Sequence, residues 1–186
     1  MSQLGFLTKI AEILERSGIP YMVVGSHASG IHGQARTTQD VDIVVDPTSH
    51  QLDTFLKGFA EGYYVSQEAA RDALHRRSVF NVIELESGWK ADLIIRKHRP
   101  FSIEEFERRR PMSLAGRSMP FASPEDVILT KLEWDRITPS QRQISDALTV
   151  AVMHRENLDR DYLKRWAEAL GISGSLEQLL KDTDAS

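Results

Sequence analysis

Two aspartates, Asp40 and Asp42, interrupt an otherwise apolar run, Asp40-Val41-Asp42-Ile43-Val44-Val45. In a strand, successive side chains point to opposite faces, so Asp40 and Asp42 share one face and Val41 and Ile43 the other. Aspartate is disfavoured in strands, and carboxylates held this close repel each other unless a cation neutralises them. Their hard oxygen atoms suit Mg²⁺ or Mn²⁺. Asp92 repeats the pattern in Trp89-Lys90-Ala91-Asp92-Leu93-Ile94-Ile95, with Ala91 and Leu93 facing away. If this strand pairs beside 41–45, Asp92 becomes the third carboxylate of one cluster. Three carboxylates can hold two metals about 3.5–4 Å apart, an arrangement used for in-line displacement at phosphorus.

Gly25-Ser26 supplies a complementary half. It closes the apolar run Tyr21-Met22-Val23-Val24 and precedes a short helix or turn over residues 27–33. Glycine lets a backbone approach a phosphate closely. Serine adds a hydroxyl donor, and a helix N-terminus offers free N–H groups and a favourable dipole. A triphosphate is therefore expected between this turn and the metals.

These residues need a scaffold, and the chain supplies its elements in a legible order. Residues 3–17 carry Leu4, Leu7, Ile10, Ala11 and Leu14 at helical spacing, with Gly18 just past the end. The spacing predicts strands over 21–24 and 41–45 and a helix over 48–61 with Leu52, Phe55, Leu56 and Phe59 on one face. Ser78–Leu85 and Trp89–Arg96 form a hairpin around Glu86-Ser87-Gly88. Ser102-Ile103-Glu104-Glu105 reads as a capping box, and 112–121 as a second hairpin across Gly116. Ser123-Pro124-Glu125-Asp126 is a helix start, with an N-cap Ser, Pro at the first position and acids in the first turn. Everything beyond it is helical, with a last capping box at Ser175. The expectation is an α/β (α+β) fold, a mixed sheet flanked by helices over 1–122, then a helical subdomain over 123–186.

The spacer between Ser26 and Asp40 is thirteen residues long. The segment VVGSHASGIHGQARTTQDVDIVV resembles the signature of nucleotidyltransferases of the DNA polymerase β superfamily: a Gly-Ser turn, a spacer and Asp-x-Asp. The string His32-Gly33-x-x-Arg36-x-Thr38-x-Asp40-x-Asp42, with the later ASPEDVILTKLEWDR segment, resembles the bacterial AbiEii-like, toxin–antitoxin branch. The resemblance covers residues 21–46, 89–96 and 123–150. It implies a nucleotidyltransferase fold with the nucleotide between its two parts, and it implies roles. Asp40 and Asp42 bind metal; Asp92 completes the metal site or acts as base. Gly25 and Ser26 hold the β- and γ-phosphates. Lys131 neutralises the triphosphate or fixes the nucleotide, and Arg36 does the same or orients the Asp loop. The implied reaction is attack of an acceptor hydroxyl on the α-phosphate of an NTP such as ATP, releasing pyrophosphate. The acceptor is RNA such as tRNA, a partner protein encoded by an adjacent gene, or a small molecule such as an aminoglycoside. One departure stands out, because bulky His27 follows Ser26 where many relatives carry a small residue.

Plainer roles compete for several residues. Asp46 precedes Pro47 and suits a turn or cap. Ser26 is also able to cap its helix. His27 and His32 are poor ligands for an oxygen-preferring ion, and His32 is expected to pack or hydrogen-bond near the Asp strand. Asp146 is expected to pair with an arginine such as Arg142. Val127, Ile128, Leu132 and Trp134 read as core rather than a base-stacking platform. Arg96, Lys97, Arg99, Arg108, Arg109, Arg110 and Arg117 form a basic stretch, suited to RNA or NTP or to a solvated helix end.

The bulk numbers fit these expectations. The chain has 186 residues, 41% hydrophobic and 27% charged, with a net charge of −4. A mildly acidic chain is not built for indiscriminate nucleic-acid binding. It has no cysteine, so neither disulfides nor thiolate chemistry enter. That makes the cytoplasm the default compartment, and no apolar run approaches the roughly 18 residues that span a bilayer. A GT-A glycosyltransferase also uses Asp-x-Asp, but later in a longer domain. The remaining alternative is a catalytically weak, antitoxin-like binding partner that keeps the fold.

Overall fold

The structure, a computed structural model, describes residues 1–33, 40–114 and 116–186. The described residues form two compact units. The first takes Met1–Gly25 and the chain up to Phe121; the second takes the helix residues after Gly25 together with Ala122–Ser186.

The first unit opens with α1 (Gln3–Arg16), whose start is capped by the Ser2 hydroxyl accepting from the Gly5 N–H at 3.1 Å. Phe6, Leu7, Ile10, Ala11, Ile13 and Leu14 are its buried stripe, and Gly18, at φ +67°, turns the chain out of it. The strands follow as β1 (Tyr21–Val23), β2 (Asp40–Val45), β3 (Tyr63–Val65), β4 (Val79–Glu84), β5 (Lys90–Ile95), β6 (Arg110–Leu114) and β7 (Arg117–Phe121). They form a seven-stranded mixed sheet in the order β3-β4-β5-β2-β1-β7-β6. Its helices besides α1 are α3 (Ser49–Leu56), α4 (Gln67–Arg76) and α5 (Pro100–Glu107).

The centre of the sheet decides the register. β2 pairs with β5 in parallel, Asp40 beside Lys90 through Val45 beside Ile95. Val41, Ile43 and Val45 on β2 and Ala91, Leu93 and Ile95 on β5 are all buried, while the residues between them are half-buried. A fully buried Val, Leu or Ile contributes about 1.5–3 kcal/mol, and a one-residue slip would turn the whole set to the wrong face. Phe55 of α3 meets Phe80 of β4 edge-on at 6.3 Å, which covers this apolar face with a helix.

The helix expected over 48–61 is shorter than the sequence suggests. Thr48 and Gln51 form a true capping box, but α3 stops at Leu56. Gly58, just past the C-cap Lys57, lets the chain pass close to α1, since a Cβ there would come within 2.6 Å of Ile13. β3 and α4 fill residues 63–76, a stretch without a strong apolar rhythm, since only Ala70 and Ala73 of α4 are buried. The capping box expected at Ser102 is not formed. Pro100 occupies the first helical position of α5, so the helix begins earlier, and the Ser102 hydroxyl accepts from Arg99 Nε at 2.9 Å. Both expected hairpins are present, β4–β5 and β6–β7.

The second unit holds α2 (Gly25–His32) from Ser26 onward, α6 (Pro124–Ile137), α7 (Gln141–His154), α8 (Arg160–Leu170) and α9 (Ser173–Asp184). Ser123 caps α6 as expected, accepting from the Asp126 N–H at 3.2 Å. Ser175 lies inside α9 and not at its start. Gly171, in the left-handed region at φ +69°, ends α8, and α9 begins after buried Ile172. Among the described residues no helix is long and apolar enough to cross a membrane.

Candidate active site

β2 brings Asp40 and Asp42 to one half-exposed face, because Val41 and Ile43 must point into the core. The parallel register sets Asp92 directly beside Asp42 and Lys90 directly beside Asp40. The structure thus brings the three predicted carboxylates together on neighbouring strands, with a lysine at the fourth corner. Lys90 Nζ lies 3.4 Å from Asp40 Oδ2, 3.2 Å from Asp92 Oδ1 and 3.3 Å from Asp92 Oδ2. On the far side of Asp92, Asn81 of β4 is its antiparallel register partner and donates its side-chain N–H to Asp92 Oδ1.

Gly25 approaches the cluster from β1. The Val24 N–H donates to the Asp42 carbonyl at 3.0 Å, which extends the antiparallel β1–β2 ladder to the edge of the turn. Gly25 then adopts φ +62°, and a Cβ at that position would lie 2.8 Å from Asp42 Cγ and 2.9 Å from Asp42 Cβ. Glycine is required here twice over, for the left-handed backbone and for the space that the Asp42 side chain occupies. Ser26 follows it directly as the next residue of α2.

The electrostatics favour a cation. Three carboxylates and one ammonium leave a formal charge of −3 + 1 = −2 on this patch when all are ionised. Burial opposes the charge on Lys90, but hydrogen bonds to and charges on Asp92, then Asp40, outweigh it and raise its pKa above the ordinary lysine value. Among the described residues no three acidic or histidine side chains are gathered as a metal site, and Lys90 Nζ lies between Asp40 and Asp92. The donor set itself fits a hard divalent ion, since it is made of carboxylate oxygens on a rigid strand pair.

By sequence, the chain matches no protein-family model and no curated protein. Its fold does have solved counterparts. The crystal structure of ANT(2'')-Ia in complex with adenylyl-2''-tobramycin superposes with a TM-score of 0.62 at 14% identity, covering 91% of this chain and 97% of that one. The solution structure of the antibiotic-resistance factor ANT(2'')-Ia gives 0.57 at 13% identity, over 90% and 94% of the two chains. An antigenic nucleotidyltransferase-like protein from Paracoccidioides brasiliensis gives 0.58 at 15% identity, over 97% and 93%. The chain has the nucleotidyltransferase fold.

Within this nucleotidyltransferase fold the other expected residues fall in varied settings. Arg36 lies outside the described residues. Ser26 is half-buried on α2. Lys131 is buried in α6 and paired with Asp146 of α7 at 2.9 Å. The expected partner of Asp146, Arg142, is therefore corrected to Lys131. His32 is buried and its Nε2 donates to the Ala122 carbonyl at 2.7 Å, with the His154 ring edge-on at 5.2 Å. A carbonyl can only accept, so Nε2 carries the proton. His27 Nδ1 is buried without a hydrogen-bond partner among the described residues, and desolvation lowers its pKa from the ordinary 6.5.

Asp46, expected in a turn or cap, is a clamp at the other end of β2. It accepts from Arg96 at 2.7 and 3.0 Å and from Arg77 at 3.2 Å. Much of the basic stretch is likewise spent inside the first unit. Arg96 takes Asp46, Arg117 pairs with Glu12 and Glu15, and Arg109 lies over the Phe106 ring at 4.2 Å. Val127, Ile128 and Leu132 are core as expected, but Trp134 is 54% exposed and is corrected.

Two residues of the candidate site carried no role in the sequence. Lys90 was visible as sharing a face with Asp92, since they are two apart on one strand. Asn81 was visible as a polar residue in Val79-Phe80-Asn81-Val82. What was hidden is the register that sets each against a particular aspartate.

Proposed function

We propose that this chain is a divalent-metal-dependent nucleotidyltransferase. It moves a nucleoside monophosphate from an NTP to an acceptor hydroxyl and releases pyrophosphate. The single observation that carries this is Asp42 beside Asp92 on parallel strands, with Asp40 on the same face and Gly25 folded against Asp42.

Asp40 and Asp42 hold Mg²⁺ or Mn²⁺, and Asp92 completes that ligand set or accepts the proton of the incoming hydroxyl. When bound, the cation supplies positive charge to the phosphate oxygens. Gly25 and Ser26 hold the β- and γ-phosphates, through a backbone with no side chain in the way and a hydroxyl donor. Arg36 and Lys131 are the candidates for added positive charge, Lys131 only by exchanging its partner Asp146. The acceptor oxygen forms a bond to the α-phosphorus, and the bond to the bridging oxygen breaks. Pyrophosphate leaves with that electron pair, and the hydroxyl proton passes to Asp92. The protein's share is positioning and charge placement.

The acceptor is a small molecule, an RNA or a partner protein. The likeness in fold to a protein seen with adenylyl-2''-tobramycin makes aminoglycosides the first class to test. The AbiEii-like motif adds tRNA and the product of an adjacent gene, in a toxin–antitoxin or phage-defence setting. The cytoplasm, where NTPs are abundant, is the compartment that goes with this reading.

The test is incubation of the chain with Mg²⁺, each labelled NTP and these three acceptor classes. Label transfer that is lost in a folded Asp42→Asn variant is the expected result. If no acceptor is labelled and Mg²⁺ with NTP does not shift the melting temperature, the chain is a binding module, and the enzyme reading is wrong.

A further inference from the structure

We propose that Lys90 is a tethered cation occupying the place of a divalent ion between Asp40 and Asp92, so that metal enters the site by displacing its ammonium. This rests on the metal-dependent function proposed above. The geometry is specific to this position. Lys90 is the register partner of Asp40 and sits two residues before Asp92 on one strand, so its side chain rises from the same face as all three carboxylates. Its Nζ reaches both aspartates at once, 3.4 Å from Asp40 and 3.2 Å from Asp92. A surface lysine usually meets one carboxylate on a mobile neighbour. Here both partners are fixed by the backbone of two central strands, and Asn81 pins Asp92 from the other side.

Two consequences follow from charge alone. Without metal, the ammonium offsets part of the repulsion among three carboxylates. With metal, a divalent ion arriving at the same oxygens meets a like charge that must move aside first. The lysine stem is long and flexible, and the side chain is one-third exposed, so it can swing into water without disturbing the sheet. Lys90 thus weakens the site for free metal while easing the repulsion within it. It is a positioning residue, because it acts through the carboxylates.

The experiment is calorimetric titration of Mn²⁺ into the full chain without nucleotide, alongside melting in a chelator. It compares the unsubstituted chain with Lys90→Met, Lys90→Arg and Asp42→Asn. Lys90→Met should bind Mn²⁺ on the order of tenfold more tightly. It should melt lower than the unsubstituted chain in chelator and gain more on adding Mn²⁺. Lys90→Arg keeps the cation and should behave like the unsubstituted chain. If Lys90→Met folds only with Mn²⁺ present, that supports the proposal in its strongest form. If it does not fold at all, Lys90→Gln is read in its place. Equal or weaker Mn²⁺ binding in the neutral variant, with binding abolished in Asp42→Asn, overturns the role of Lys90 and leaves the metal site standing. Absence of Mn²⁺ binding in the unsubstituted and the neutral chains alike overturns both.

Discussion

Asp42→Asn should leave the metal-free chain more stable than Asp92→Asn does, although both remove one carboxylate from the same cluster. Asp42 sits between Asp92, its neighbour across the strands, and Asp40, two residues along. Neighbouring strands run about 4.8 Å apart, so like charges about 5 Å apart repel by roughly 0.8 kcal/mol in water and roughly 3 kcal/mol at an effective dielectric of 20. The Asp40 side chain is 47% exposed and the Asp92 side chain 23%, which favours the lower half of that range. Asn keeps the size and an accepting oxygen of Asp, so Asp42→Asn loses the repulsion while retaining what that oxygen accepts, and it should stabilise the metal-free chain by up to about 1 kcal/mol. A melting rise of at most roughly 2–4 °C follows for a chain of this length. Asp92→Asn also loses a repulsion, but it gives up the Lys90 ion pair and weakens the hydrogen bond from Asn81. It should be neutral or destabilising by up to about 1 kcal/mol.

The assay is urea and thermal unfolding in chelator at low ionic strength, repeated with Mg²⁺. In chelator the order should be Asp42→Asn, then the unsubstituted chain, then Asp92→Asn, and salt should compress the differences. With Mg²⁺ only the unsubstituted chain should gain appreciably, while transfer activity falls on the order of 10²-fold or more in both variants. If Asp42→Asn is the less stable protein without metal, the carboxylates are not in the repulsive arrangement argued here. The case for a divalent ion at their centre then loses its physical basis.

Gly25→Ala should destabilise by at least about 1–2 kcal/mol from its left-handed backbone alone. The methyl group would also press on Asp42, so denaturant melts should show the loss and nucleotide transfer should disappear with it. Asp46→Ala strips hydrogen bonds from Arg77 and Arg96 and should cost about 2–3 kcal/mol in the same melts, while transfer activity of the folded fraction is kept. Lys131→Met removes the ammonium from a largely shielded ion pair with Asp146 and should cost up to about 3 kcal/mol. The double variant Lys131→Met with Asp146→Leu should recover most of that, as read by a double-mutant cycle. His27 has a folded-state pKa below its unfolded value, so the unfolded chain takes the proton first and its contribution to stability is lost as pH falls below about 6.5. Melting of His27→Asn between pH 7 and 5 should therefore fall less than that of the unsubstituted chain.

The legible parts of this protein are those set by short-range rules. Alternation on β2 required Asp40 and Asp42 to share a face, because any other arrangement would have buried them in place of Val41 and Ile43. Ser123-Pro124 announced α6, and Gly116 and Gly88 marked two hairpins with positive φ. Local signals failed at two helix ends. Pro100 started α5 ahead of Ser102, and α3 stopped at Leu56 although Phe59 continues its apolar spacing. α4 was silent because Ala70 and Ala73, its buried residues, are too small to write an apolar rhythm.

The site was legible as a list of residues but not as an arrangement. Nothing local says that β5, having formed a hairpin with β4, also lies parallel to a strand some fifty positions earlier. That pairing turns Asp92 from a lone strand acid into the neighbour of Asp42, and Lys90 from a surface charge into the counterion of two aspartates. A one-residue shift of β5 against β2 would leave every element intact. It would replace Asp92 beside Asp42 with Ala91 or Leu93. The apolar residues that enforce the register, Val41, Ile43, Ala91 and Leu93, are therefore as necessary to the proposed chemistry as the carboxylates they oppose.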